Sequence, residues 1–342
     1  MPQPVVSVVI ANRNGLRFLK GCLTTLTAQH YCNFEIIVVD NGSMDGSVRF
    51  IRETYPEVSV IENGDNRGFA AANNQGIAVA RGRYVALLNN DTEVDREWLH
   101  RLVASAETSP PDVGMWACKI LSLEDRETID SVGGLLISRC GIAKGRGRGE
   151  RDGGQYDGDR DVFIPSACAA MYLREVIDAV GGFDEEFFAY CEDTDLGMRA
   201  RLKGWKARSV PEAVVYHHYS GTAGSYSPTK AYLVERNHIW VVVKNFPLPM
   251  VIPFPLFTVW RYLLQSYGVL ARRGAGGRYV GEHSGASLTL VLGKAWLGVA
   301  KGLPGMVKKR RGIQRSRSVS DREVTCWLRR HHIKIRDLVF KE

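Results

Sequence analysis

The chain has 342 residues, 45% hydrophobic and 24% charged, a balance that excludes a disordered chain and allows one large domain or two ordinary ones. Its net charge of +8 is uneven: residues 301–342 hold 13 Lys/Arg against 4 Asp/Glu, and the preceding 300 residues hold 32 against 33. The basic character belongs to the C-terminal segment, which favours an anionic surface of lipid or nucleic acid.

The first half reads as alternating strands and helices. Val5–Ala11 is a continuous apolar run, as a parallel strand buried on both faces requires. Leu16–Ala28 has helical spacing, Phe34–Asp40 is a second buried strand and Asp45–Tyr55 a helix. Val58–Ile61, Tyr84–Asn89 and Val113–Ile120 read as further strands, with helices at Phe69–Arg81 and Arg96–Thr108 between them. This order predicts a doubly wound α/β sheet, whose ligands bind beyond the carboxyl ends of the strands.

Polar residues collect at those ends. The strands are followed by Asn12-Arg13-Asn14-Gly15, by Asp40-Asn41-Gly42-Ser43, by Asn63-Gly64-Asp65-Asn66-Arg67-Gly68 and by Asn89-Asn90-Asp91-Thr92. Each is an ordinary turn composition, but four at one sheet edge mark a site. Asp91 suits a hard divalent cation that takes its other ligands from phosphates, with Asn89 on a ribose or behind the metal. Asp40 can accept a hydrogen bond from a base or sugar. Asn66, Arg67, Asn73 and Asn74 offer a cation and amides to a diphosphate. Gly- and charge-rich residues 139–160 read as a mobile loop across the site; their acidic residues offset the Arg-Gly repeats, which argues against nucleic acid.

Residues 188–199 place Glu192, Asp193 and Asp195 directly after the aromatic cluster Phe187, Phe188 and Tyr190. Packing gives no reason for this, because close carboxylates repel and burial raises their pKa. At the N-terminus of a helix, one of them can serve as a general base. The plain alternative is a helix cap with an Asp195–Arg199 pair. His217 and His218 follow a strand-like stretch, and a neutral imidazole there can complete a metal site.

Beyond residue 225 the texture turns helical: Tyr226–Phe246, then Leu256–Arg272 and Ser287–Leu303 after four prolines. Neither apolar stretch is long and uncharged enough to span a bilayer. Leu288, Val291, Leu292, Ala295, Trp296 and Val299 share one face and Lys294 and Lys301 another, the pattern of a helix lying in the headgroup layer. The seven scattered cysteines predict a reducing compartment, and the short first apolar run gives no sign of a leader peptide.

Taken together, Val6–Gly15, Ile36–Ser47, Asn66–Ile77, Leu87–Thr92, Gly181–Phe188, Tyr190–Arg199 and His217–Thr222 resemble, in order, the motifs of family 2 inverting glycosyltransferases of the bacterial rhamnosyltransferase-like branch. The resemblance implies a GT-A fold, a Rossmann-like doubly wound mixed sheet over residues 1–225, followed by membrane-associated helices and the basic segment over 226–342. It implies a nucleotide-sugar donor, Mg2+ or Mn2+, and a lipid-linked or polysaccharide acceptor at the cytoplasmic face of the membrane. By the same resemblance Asp193 is the catalytic base, with Glu192 the second choice; Asp40 reads the nucleobase beside the Ala11 backbone; and Asn14, Asn66, Arg67, Asn74 and Asn89 belong to the donor side. Asp91 is the metal ligand of an Asp-x-Asp-type motif whose first acidic position is here Asn89, so His217 carries more of the metal. Arg236-Asn237 matches the family's Arg-Asn pair without an assigned role. The competing readings are a nucleotidyl enzyme on the same sheet and a non-catalytic nucleotide-sugar-binding protein.

Overall fold

A computed structural model describes residues 3–218 and 227–341. In chain order run β1 (Val6–Asn12), α1 (Leu16–Thr27), β2 (Phe34–Asn41), α2 (Ser47–Thr54), β3 (Ser59–Asn63), α3 (Gly68–Val79), β4 (Tyr84–Leu88), β5 (Thr92–Val94), α4 (Trp98–Glu107) and β6 (Val113–Ser122). Then come β7 (Ile129–Val132), β8 (Leu135–Ile137), β9 (Ala143–Gly145), β10 (Asp161–Val162), β11 (Ala169–Leu173), α5 (Arg174–Val180), a 3-10 turn (Glu185–Phe187), α6 (Glu192–Leu202) and β12 (Lys206–His217).

The main sheet has the order β10-β12-β6-β11-β4-β1-β2-β3, with β5 beside β12 and β7 beside β6. β1 lies parallel between β2 and β4, and Ala11 pairs with Val39 one position before the strand ends. β11 runs antiparallel between β4 and β6, which makes the sheet mixed. One face is sealed by α1 and α4 through Leu19, Leu23, Leu99 and Leu102. The other is sealed by α3, α5 and α6 through Ala70, Ala72, Val176 and Leu196. Burial on both faces is why these strands read as unbroken apolar runs rather than alternating ones.

The rest is helical: α7 (Pro228–Asn245), α8 (Leu248–Val251), α9 (Phe254–Leu270), α10 (Gly274–Glu282), α11 (Gly285–Arg315), α12 (Asp321–Arg330) and α13 (Ile335–Phe340). The expected boundary at 225/226 falls outside the described residues, as do Tyr219–Thr222 of the last motif. α7 shares a core with α6 through Trp240, Val241, Met198 and Leu202. α11 does not stop at Leu303 but continues through Pro304 to Arg315. Its face Val291, Ala295, Val299 and Met306 is buried, and Gly302 packs so closely on the Trp240 ring that an added Cβ would lie 2.3 Å from it. Tertiary packing on both sides of Pro304 outweighs the backbone hydrogen bond the proline removes.

Two expectations are corrected. Residues 301–342 are not a free basic tail. Val324, Leu328, Ile335 and Val339 are buried, His331 stacks on Phe163 at 5.4 Å, Arg330 pairs with Asp161 at 2.7 Å, and the Ser318 amide donates to the Leu202 carbonyl at 2.8 Å. Nor is 139–160 a loose loop. β9 pairs with β8, buried Arg146 meets Asp159 at 2.7 Å, and buried Lys119 meets Asp152 and Asp157 at 2.8 and 2.9 Å. Their charges, which read as solvated in sequence, are paired inside the fold.

Among the described residues, no helix is long and apolar enough to cross a membrane. Yet α8 exposes Leu248, α9 exposes Leu256, Val259, Trp260, Leu263, Tyr267 and Leu270, and α11 exposes Leu290, Trp296 and Leu297. Apolar side chains grouped in this way mark an interaction face. All seven cysteines are free.

Candidate active site

The parallel register of β1, β2 and β4 stacks their last residues side by side. Asn12 donates to Asp40 Oδ1 at 3.0 Å and accepts from Asn90 at 2.7 Å. The Ser43 amide donates to Asp40 Oδ2 at 2.8 Å. Both carboxylate oxygens of buried Asp40 are thereby fixed, and each retains a second lone pair for a ligand. Asn14, with φ 47°, accepts from the Met44 amide and donates its own amide to Ser43 Oγ, both at 2.8 Å. It clasps the β1 loop to the β2 loop.

At the start of α3, Asn66 accepts from the Gly68 amide at 3.1 Å, and exposed Arg67 lies 3.4 Å from Asp65. Gly68 has φ +86°, and a Cβ there would sit 2.6 Å from the Phe188 carbonyl, so only glycine fits. Asn74 faces elsewhere. Its amide bonds both the N–H and the carbonyl of Phe183, each at 2.9 Å, and Glu185 at 2.9 Å. The structure gives it the task of pinning the 182–185 turn and does not bring it to the other donor-side residues.

Pairing of β12 with β5 sets His217 opposite Thr92 and so beside Asp91. His217 Nε2 lies 3.4 Å from Asp91 Oδ1, and Nδ1 donates to Asp130 Oδ2 at 2.7 Å. Burial opposes protonation of His217, but Cys168, Asp130 and Asp91 push its pKa well above the usual 6.5. The Asn89 amide donates to the Cys168 carbonyl at 2.8 Å, while Asn89 Oδ1 is buried without a hydrogen-bond partner. Asp130, which also meets Arg148 at 3.3 Å, is absent from the sequence reading. Its one trace there is an acidic residue inside the apolar strand Ile-Asp-Ser-Val.

This donor set fits a divalent cation in a limited way. Asp130 fixes the imidazole so that Nε2 points at Asp91, as a carboxylate behind a metal-binding histidine commonly does. Asn89 Oδ1 adds an unsatisfied oxygen nearby in sequence. Among the described residues, no group of three or more His, Cys, Asp or Glu converges on one point. Asp91 and His217 would therefore supply two ligands, and the other positions would fall to phosphate oxygens and water.

The three carboxylates of α6 have separate fates. Fully buried Asp195 takes Arg199 and Lys244 at 2.8 Å and Asn245 at 2.9 Å. Burial is overcome by Arg199 and Lys244, which hold it well below the usual range. The i,i+4 pair expected from the sequence is present, but it belongs to this residue alone. Glu192 is buried, one oxygen has no partner, and burial together with Asp193 pushes its pKa up to about 8. Asp193 is half-buried. It accepts from the Ala167 amide at 3.3 Å and from the Thr194 amide at 2.6 Å, and burial raises its pKa. Burial thus raises the pKa of both carboxyls, and Asp193 is the more exposed of the two.

The loop presenting this pair is held under strain. Phe188, Tyr190 and Cys191 all have left-handed φ values of 66°, 67° and 65°. One fully buried amide, Asn237 on α7, donates to the carbonyls of Phe187, Ala189 and Tyr190 at 2.9, 2.8 and 2.7 Å. Arg236 donates to the carbonyls of Glu186 and Phe187 at 3.1 and 3.0 Å. The Arg-Asn pair, without a role in the sequence, is the clamp of the loop before Asp193. Two consecutive residues then touch both groups: Ala167 bonds Asp193, and Cys168 adjoins His217.

Comparison with known proteins agrees with this architecture. The chain is 29% identical over 230 residues to the O-antigen biosynthesis protein RfbC of Myxococcus xanthus, 64% of this chain and 18% of RfbC. It is 26% identical over 275 residues to the N-acetylglucosaminyl-diphospho-decaprenol L-rhamnosyltransferase of Mycobacterium tuberculosis, covering 69% and 85% of the two chains. It spans 25% of another relative, from Sinorhizobium fredii. The mannosyltransferase PcManGT of Pyrobaculum calidifontis, solved with GDP-Man and Mn2+, superposes with TM-score 0.52 at 17% identity over 96% of this chain and 85% of that one, a likeness of fold. The model of the family described as "Glycosyl transferase family 2" matches residues 7–181, ending ahead of Asp193 and His217. That match covers half of the sequence, and the chain belongs to glycosyl transferase family 2.

Proposed function

We propose that this chain transfers a sugar from a nucleotide-sugar donor to an acceptor hydroxyl with inversion at the anomeric carbon. The observation that supports the reading is the Ala167–Cys168 junction, where the Ala167 amide donates to the half-buried Asp193 carboxylate and the next residue, Cys168, adjoins His217 of the Asp91–His217 pair. Asp193 takes the proton of the acceptor hydroxyl as its oxygen attacks the anomeric carbon. The bond from that carbon to the diphosphate oxygen breaks in the same displacement, so the centre inverts and no covalent intermediate forms. A Mg2+ or Mn2+ held by Asp91 and His217 would neutralise charge on the departing diphosphate. Asp40 and the Ala11 backbone would face the base, Asn14, Asn66 and Arg67 the sugar and diphosphate, and Asn89 the ribose.

The similarity to a rhamnosyltransferase and to an O-antigen protein supports dTDP-rhamnose as donor and a lipid-linked or polysaccharide acceptor. The exposed apolar face of α8, α9 and α11 supports work at the cytoplasmic face of a membrane.

The test is a donor screen with dTDP-, UDP- and GDP-sugars and Mg2+ or Mn2+, reading nucleoside diphosphate release. Asp193→Asn is expected to lower turnover by about 10²–10⁴ with donor binding retained. Near-normal turnover in that variant, or release of pyrophosphate in place of nucleoside diphosphate, would overturn the reading.

A further inference from the structure

The segment that carries Asp193 is closed at both ends by charge. Asp184 stands at its start and caps the 3-10 turn, accepting from the Glu186 amide at 3.2 Å. Asp195 stands at its end, in the first turn of α6. Lys244 of α7, with its side chain only 1% exposed, reaches both: its Nζ lies 2.5 Å from Asp184 Oδ2 and 2.8 Å from Asp195 Oδ1. Two carboxylates bridged by one ammonium in a buried setting need further cations to balance them. Arg199 supplies one to Asp195 at 2.8 Å.

The other comes from far along the chain. Lys309 lies on α11, 125 residues after Asp184, and its Nζ is 2.6 Å from Asp184 Oδ1 and 2.9 Å from Glu186 Oε1. Burial opposes ionisation of Asp184, but Lys244 and Lys309 together hold its carboxyl below the usual range. The helix that brings Lys309 is itself docked on α7. Arg310, the next residue, donates to the carbonyls of Val243 and Phe246 at 2.9 and 2.7 Å. Gly302 lies against Trp240, whose ring stands edge-on to Phe187 at 5.8 Å. Lys309 thereby ties the turn before the strained loop to a fixed support.

Nothing in the sugar-transfer chemistry uses this ammonium, and the fold has little need of it. Its side chain is 33% exposed, and Asp184 already has Lys244. The backbone that follows is another matter. Phe188, Tyr190 and Cys191 are left-handed, and strain of that kind persists only where the surroundings over-determine it. We infer that Lys309 is a positioning residue: by fixing Asp184 and Glu186 it sets the turn from which the strained loop springs, and so sets the Asp193 carboxylate. The inference rests on the transfer reading, in which that carboxylate takes the acceptor proton.

The test is a double-mutant cycle in the full chain, run with whichever donor the screen identifies. Lys309→Met keeps the stem and removes the charge. It is expected to melt near the wild-type midpoint, because Asp184 keeps Lys244, and to lower kcat by about tenfold with KM for the donor little changed. Lys309→Arg, which keeps the charge, is expected to recover most of that loss. In the Asp193→Asn background Lys309→Met is expected to lower turnover no further, because no base is left to position. Glu186→Gln removes one partner of Lys309 at an exposed side chain; it is expected to lower kcat in the same sense and serves where Lys309→Met does not fold. An equal loss in both backgrounds would make Lys309 a structural residue and overturn the inference. So would an unchanged kcat in Lys309→Met, or in Glu186→Gln where that variant stands in. A wild type that turns over no donor would overturn the transfer reading and this inference with it, an outcome distinct from an active wild type indifferent to Lys309.

Discussion

Glu192, Asp193 and Asp195 are chemically near-identical side chains whose surroundings raise the pKa of the first two and lower that of the third. The difference is what each meets: no partner for one Glu192 oxygen, two backbone amides for Asp193, and Arg199, Lys244 and Asn245 for Asp195. Because the pKa of Glu192 is raised from 4.5 to about 8 on folding, the native state holds a proton there that the unfolded chain has lost. Stability from this group is full below about pH 4.5 and is lost as pH rises toward about 8. Glu192→Gln carries no such dependence. Its thermal midpoint is expected to gain on the wild type progressively from pH 5 to pH 8, while turnover at pH 7 stays within a few-fold. A variant that gained nothing across that window would show Glu192 to be ionised throughout. From sequence, the cluster itself was plain, because three acids beside an aromatic run are unusual. Which acid does what was not, because Lys244 and Asn245 lie some fifty residues downstream and announce nothing.

At the scale of elements, the parallel strands and their polar ends were legible. An unbroken apolar run has few explanations other than a strand covered on both faces, and β1, β2 and β4 end where the runs end. The clamp was not legible. Asn237 reads as one more polar residue on a helix, and its three carbonyl partners are local to a loop that no periodicity describes. It follows that α7 holds the loop before Asp193 and is more than a packing element. Asn237→Ala removes one amide and with it the donor to the Ala189 and Tyr190 carbonyls, while Phe187 keeps Arg236, at a cost of about 2–3 kcal/mol. With the left-handed residues released, Asp193 is expected to wander and kcat to fall by about 10–10², with KM for the donor little changed. A fall in KM affinity with kcat intact would instead tie Asn237 to donor binding. Asp130 escaped notice for the same reason as Asn237: its meaning lies in His217, which chain order puts 87 residues away.

For the whole molecule, the C-terminal basic segment gives the clearest contrast between composition and structure. Thirteen basic residues in 42 imply a solvated tail, yet Met306, Val324, Leu328, Ile335 and Val339 are core residues. Each such burial is worth about 1.5–3 kcal/mol, so their sum rivals the net stability of about 5–15 kcal/mol typical of a folded protein. Deleting 301–342 is therefore expected to cost the fold, seen as loss of soluble protein and of a cooperative melt. A truncated chain that melts cooperatively near the wild-type midpoint would show the helices to be accessory. Membrane affinity is better probed through the exposed residues of α9, which no core needs.

The back-folded segment also has a consequence in time. Ile137 bonds to His331 and lies beside His332, and Asp161 to Arg330, so the hairpin region that carries Asp130 is completed by residues synthesised nearly two hundred positions later. A ribosome releases the sheet, the loop before Asp193 and the histidine long before it releases α12 and α13. The nascent chain can present the loops at the strand ends early, but the wall that flanks His217 closes only once α12 and α13 have emerged and folded back.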